Sequence, residues 1–139
     1  MTREQKELLL KDLCARLPYG VKIDNVGEPS MLISINNRCR IIVETGEVDK
    51  EPRLDVLEIE DCKPYLFPLS SMTEEQKEFI KNKFCYDWDI DDHPYSLWAQ
   101  CVDIGDADDL IDWFHKNHFD YRGLIPMGLA NDATGLNIY

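Results

Sequence analysis

The side chains with the most chemical potential in this sequence are carboxylates. Between Phe84 and His115 stand nine aspartates, Asp87, Asp89, Asp91, Asp92, Asp103, Asp106, Asp108, Asp109 and Asp112, with no Lys or Arg among them. Carboxylates at that density suit cation binding, acid–base chemistry or the capture of a basic partner. The spacing Asp87-x-Asp89-x-Asp91 opens like a calcium loop. The pattern then fails, because the sixth position is Asp92 rather than the Gly of the sharp turn and the twelfth is Trp98 rather than a bidentate Glu. A solvated acidic loop between two helices accounts for the same residues without a ligand.

Histidine and cysteine offer less. His115 and His118 meet on one face only if their helix extends far enough, and zinc would need further ligands, with Asp112 or Cys101 as candidates. His115 with Asp112 is the corresponding acid–base pair. The five cysteines, Cys14, Cys39, Cys62, Cys85 and Cys101, contain no C-x-x-C. Free thiols in a reducing compartment are expected, with Cys14 and Cys39 as small core residues. Ser70 and Ser71 read as polar residues before a helix, and Arg122 as the partner of a nearby carboxylate. Phosphate-binding glycine loops and the G-x-S-x-G elbow do not occur.

The reading that remains is a surface. Asp87, Trp88, Asp89, Asp91, Asp92, Asp106, Asp108 and Asp109 are the candidate partner-binding residues. Charge interleaved with Trp88, Tyr95, Trp98 and Trp113 offers a basic partner both steering and aromatic anchors. Such a surface can also imitate nucleic-acid phosphates and occupy a DNA-binding protein. The alternation of Trp88 and Ile90 with aspartates equally suits an edge strand with one wet face, where charge discourages aggregation.

Composition sets the frame. The chain has 139 residues, 27 acidic against 15 basic side chains and a net charge of −12. That length suits one domain, residues 1–139, and 44% hydrophobic residues suffice for a packed core. Direct nucleic-acid binding is not expected, since affinity for phosphate rests on Lys and Arg. No apolar run approaches the roughly 18 residues of a membrane span, and no signal-peptide pattern is present. The expected location is the cytoplasm of a bacterial host.

The elements that must position these residues follow from periodicity and caps. Thr2 with Gln5 forms a capping box for a helix over 3–16, with Leu10, Leu13, Cys14 and Leu17 as its stripe. Alternating residues from Val21 to Ile59 predict four short strands, with turns at Asn36-Asn37 and Thr45-Gly46 and a strand from Cys39 to Val43. Residues 62–72 form an extended connector. Thr73 with Gln76 caps a helix over 74–84, and Asp106 caps one over 107–116. The tail, with Gly123, Pro126, Gly128 and Gly135, predicts turns and one short strand or helical turn. The class is α+β, a short antiparallel sheet, open or curled towards a barrel, packed by about three helices. The predicted core is Leu10, Leu13, Leu17, Val21, Ile33, Ile35, Ile42, Leu57, Ile59, Phe79, Ile80, Leu110, Ile111 and Phe114.

Three segments together carry a resemblance: Leu17-Pro18-Tyr19-Gly20-Val21-Lys22, Lys63 through Glu75, and His118 through Ile125 followed by Gly128-Leu129-Ala130. They resemble small uncharacterised proteins of phages and mobile elements from Bacteroides-type gut bacteria. The aspartate window around Asp87 to Asp92 departs from that pattern. The resemblance implies a genomic setting and transfers no site residue, cofactor or reaction. The expectation is a non-enzymatic interaction module that binds a basic host or phage protein through the acidic aromatic surface. A nucleic-acid mimic and a small Asp/His metal-dependent hydrolase are the alternatives.

Overall fold

The computed structural model describes residues 1–46, 50–84 and 104–139. Helix α1 spans Arg3–Arg16 and is opened by the predicted capping box: Thr2 Oγ1 accepts from Gln5 N at 3.1 Å, and Gln5 Oε1 accepts from Thr2 N at 2.8 Å. A 3₁₀ turn, Leu17–Tyr19, follows. Four strands then form an antiparallel meander: β1 (Lys22–Asn25), β2 (Glu28–Ile35), β3 (Ile41–Thr45) and β4 (Arg53–Leu57), in the order β1-β2-β3-β4. This is the expected α+β class, and the described strands form no closed barrel. Among the described residues no helix is long and apolar enough to cross a membrane.

A two-residue turn, Val26-Gly27, joins β1 and β2 with both residues at positive φ. That is the hairpin turn whose twist suits the strands, but it forces a β-branched residue to φ +54. Between β2 and β3, Asn36 closes the turn. Its side-chain oxygen accepts from Arg38 N and Arg40 N at 2.9 and 3.1 Å.

The connector holds β5 (Tyr65–Leu66), which pairs in parallel with β6 (Asn131–Asp132), the short strand of the tail. Residues 63 and 64 also meet β1, through Asp24 N to Lys63 O at 2.9 Å and an Ile23–Pro64 bridge. Helices α2 (Glu74–Phe84) and α3 (Ile104–Lys116) complete the described fold. The α2 capping box is formed, with Thr73 N to Gln76 Oε1 at 2.9 Å and Gln76 N to Thr73 Oγ1 at 3.2 Å.

The core has two parts. An aliphatic cluster packs α1 on the sheet through Leu9, Leu13, Val21, Ile23, Leu32, Ile41 and Val43, with Leu66, Leu124 and Leu129 from later in the chain. A second, aromatic-rich cluster joins α2 and α3 through Met72, Ile80, Leu110, Phe114, Phe119 and Tyr121. Of the predicted core, Leu13, Val21, Ile80, Leu110 and Phe114 are buried. Leu10, Leu17, Ile35, Leu57, Ile59 and Ile111 pack against the clusters as partly buried residues.

The departures have identifiable causes. A bulge between Leu32 and Ser34 shifts the phase of β2. Before it Ser30 and Leu32 point inward; after it Ile35 packs on the core, and Ile33 is left exposed. Ile42 alternates out of a strand whose buried residues are Ile41 and Val43. Phe79 is exposed beside buried Ile80. On α1 the buried face is Leu9, Asp12, Leu13 and Arg16, one position away from the expected stripe, and Cys14 is exposed. Cys39 is exposed too, at φ +59 in the turn that precedes β3. Asp106 is not the cap of α3, which begins at Ile104 and takes Asp106 into its first turn.

Candidate functional site

Two acidic arrangements flank α3, and they are opposite in character. The first is a buried knot. Arg16 and Asp12, one helical turn apart on α1, are both fully buried. Arg16 Nε donates to Asp12 Oδ2 at 2.7 Å, and its Nη2 donates to the Phe119 carbonyl at 2.7 Å. Arg122 Nε donates to Asp12 Oδ1 at 3.1 Å, so this arginine does pair with a carboxylate as expected. Arg122 also lies 4.8 Å from the centroid of the Tyr121 ring.

The knot extends to the end of α3. His115, buried, exchanges a 2.8 Å hydrogen bond through Nε2 with the Tyr121 hydroxyl. Burial, reinforced by the Arg16 charge, pushes the His115 pKa down to about 4, so the ring is neutral at physiological pH. Burial pushes the Tyr121 phenol up to about 12. Asp120 holds the following loop by accepting from Leu124 N and Ile125 N, both at 2.8 Å. Burial nevertheless raises its pKa above the usual carboxylate range. These groups join α1, α3 and the loop after it. A neutral histidine locked to a tyrosine is poorly matched to proton transfer near neutrality.

His118 does not join His115 on a helix face. The helix closes in a Schellman motif, with Phe119 N to Phe114 O at 2.9 Å and His118 N to His115 O at 3.2 Å. His118 takes the left-handed position at φ +61, where Gly is usual. Its ring stacks on Tyr139 with centroids 3.7 Å apart. Among the described residues no three His, Cys, Asp or Glu side chains are placed to hold a metal ion. The Cys62 thiol is buried, donates to Glu58 O at 3.3 Å, and is pushed up to about 12 by burial and nearby carboxylates, which disfavours a nucleophilic thiolate.

The second arrangement is open. A cleft of about 450 Å³ is lined by Tyr19, Phe79, Lys83, Asp109, Asp112, Trp113, Lys116 and Asn117. Phe79 and Trp113 stack across α2 and α3 with centroids 6.0 Å apart, and Phe79 is 45% exposed. Trp113 continues inward to Phe119 at 5.6 Å, so the exposed stack is the rim of the aromatic core. Lys83 Nζ lies 5.6 Å from the centroid of the Phe79 ring. Asp108, Asp109 and Asp112 are all exposed on α3.

Of the sequence-predicted partner residues, Asp109 therefore lines this cleft, Asp108 stands exposed next to it in sequence, and Asp106 lies in the first turn of the same helix. Asp87, Trp88, Asp89, Asp91 and Asp92 lie outside the described residues. Sequence reading passed over Tyr19, Lys116 and Asn117 and treated Phe79 as core. The i, i+4 spacing from Asp109 to Trp113 was the available signal for a shared face. A second cleft of about 380 Å³ lies alongside and shares Lys116 and Asn117 with the first; His118 lines it, and among the described residues no Asp or Glu does. Among the described residues neither cleft gathers a histidine with two carboxylates, the arrangement that the alternative Asp/His hydrolase reading would need.

No protein-family model matches this chain, and no curated protein or solved structure matches it significantly either.

Proposed function

We propose that the protein is a non-enzymatic interaction module, of the kind carried by phages and mobile elements, that binds a basic segment of a host or phage protein. The observation that supports this is the exposed Phe79–Trp113 stack with Asp109 and Asp112 lining the same cleft. An apolar aromatic rim provides the anchor, and the carboxylates provide orientation and steering. A cationic side chain laid across Trp113 gains from the ring face and from the adjacent carboxylates together. The net charge of −12 speeds the encounter with such a partner at low ionic strength. The cleft's own Lys83 and Lys116 give it a mixed rim, which favours a partner carrying a patterned sequence over a uniformly basic one.

Selection of a random peptide display library on the purified protein tests this reading. Peptides that carry Lys or Arg next to an apolar residue should be enriched. Their binding should weaken at high salt and fall about tenfold or more in Asp109→Asn/Asp112→Asn and in Trp113→Ala. Enrichment of acidic or purely apolar peptides, or binding that both variants leave intact, rejects it.

A further inference from the structure

The second cleft differs from the rest of the molecule in its chemistry. In a chain with 27 acidic side chains, none of the described residues that line it is acidic: Phe67, Ser71, Thr73, Gln76, Lys116, Asn117, His118, Phe119 and Tyr139. The polar groups are biased towards donation. In the α2 capping box both side chains act as acceptors, Thr73 through Oγ1 and Gln76 through Oε1. The Thr73 hydroxyl proton and both protons of the Gln76 amide therefore remain for another acceptor. Lys116 is exposed at the cleft and forms no ion pair among the described residues. Donors already committed are the Asn117 amide, which reaches Trp113 O at 2.9 Å, and the Ser71 hydroxyl, which reaches Pro68 O at 2.7 Å.

The other wall is aromatic and braced. Phe67 packs on Phe119 and Tyr139 at 6.1 and 5.9 Å, and Tyr139 stacks on His118. The Tyr139 hydroxyl donates to Tyr65 O at 2.7 Å and accepts from Lys22 N at 2.9 Å, which ties this wall to the sheet. The His118 ring is held in place, yet its Nδ1 is buried without a hydrogen-bond partner among the described residues. A buried polar atom in that state costs free energy until something satisfies it.

We propose that this cleft binds a small organic anion, a flat apolar body bearing one oxyanion head. The head is received by the Gln76 amide, the Thr73 hydroxyl and the Lys116 ammonium. The body lies along Phe67, Phe119 and the His118–Tyr139 stack. Carboxylate and phosphate heads share the required chemistry. Among the described residues no Asp or Glu lines this cleft, so no acidic side chain among them repels either head, whereas in the neighbouring cleft Asp109 and Asp112 would.

The test is ligand-observed NMR on the full chain with four probes: benzoate, phenyl phosphate, benzyl alcohol and benzylammonium. Either anion should show saturation transfer at millimolar concentration, at least about tenfold tighter than the neutral alcohol. The preferred anion then says whether the head is carboxylate or phosphate. Gln76→Glu is the decisive variant. Glutamate serves the capping box as well as glutamine does, so the fold should melt as in the wild type, while the new carboxylate faces the anion. Binding should fall about tenfold or more in Gln76→Glu, and by a similar factor in Lys116→Gln. Equal binding of the alcohol, binding unchanged in both variants, or no saturation transfer from either anion overturns the proposal. Since Asp109→Asn/Asp112→Asn leaves this lining intact, it should retain anion binding even if it loses basic peptides.

Discussion

Asp12 and Asp109 are the same residue type on two helices that contribute to neighbouring parts of one molecule, and their surroundings give them opposite work. Asp12 is fully buried and accepts from two arginines, one of them 110 positions away in sequence. Asp109 is exposed at the mouth of a cleft, with no hydrogen bond or ion pair to a described residue. Taking a carboxylate out of water is costly unless cations and donors replace the water, so the buried site must be complete or absent. The exposed site carries no such demand, and its charge stays available to a partner. An acidic composition therefore mixes two populations, one committed to the fold and one free to bind.

The sharpest way to break this contrast is Arg16→Met. It leaves Asp12 buried with Arg122 alone, and the Phe119 carbonyl loses its donor. Urea denaturation should show a loss of about 3–5 kcal/mol. The double variant Asp12→Leu/Arg16→Met, which removes both charges of the pair, should recover part of that loss. A single variant as stable as the wild type would show that the knot carries no weight.

Acid should act next. His115 and His118 both have pKa values pushed down to about 4 by burial, against 6.5 for an ordinary histidine. Between those values the unfolded chain binds protons that the folded chain refuses. The stability from neutral burial is whole above pH 6.5 and drains as the pH falls towards 4. The loss is on the order of 2–3 kcal/mol per histidine. Asp120, with its raised pKa, opposes the trend at the acid end. Thermal melts from pH 7.5 to 4.5 should show the decline, and His118→Gln should make it shallower. A flat profile would contradict the burial of both rings.

The smallest effect on stability is expected on α3. Replacing Asp108, Asp109 and Asp112 one at a time by Asn should change the unfolding free energy by no more than about 0.5 kcal/mol each. Asp108, near the helix start, should show the largest of the three, because it is closest to the positive end of the dipole. A destabilisation comparable to that of Arg16→Met would mean that these carboxylates are structural after all.

Local rules made the helices legible. Both capping boxes, Thr2 with Gln5 and Thr73 with Gln76, are formed as read, because the partners are three residues apart and no tertiary contact can move them. The meander was legible for the same reason, since each strand pairs with its neighbour in the chain. The phase of β2 was not. A single bulge reverses the facing of Ile33 relative to Ile35, and bulges respond to what the partner strand and core demand.

The face of α1 was missed for a different reason. Periodicity assigns Asp12 and Arg16 to solvent, since charged side chains are buried only when their partners are in place. Those partners, Arg122 and the Phe119 carbonyl, arrive from the far end of the chain. The cleft residues were hidden likewise: Phe79 reads as core on α2 until Trp113 of α3 is set beside it at the surface.

By itself, then, the sequence determined the order of the main elements, the capping boxes of α1 and α2 and the negative charge, all set by interactions over a few residues or by composition alone. Tertiary structure alone decided which aspartates are spent inside, which face a cleft, and that one cleft in this acidic molecule has no acid among the described residues that line it. Burial and convergence depend on residues about a hundred positions apart, and no local periodicity records those.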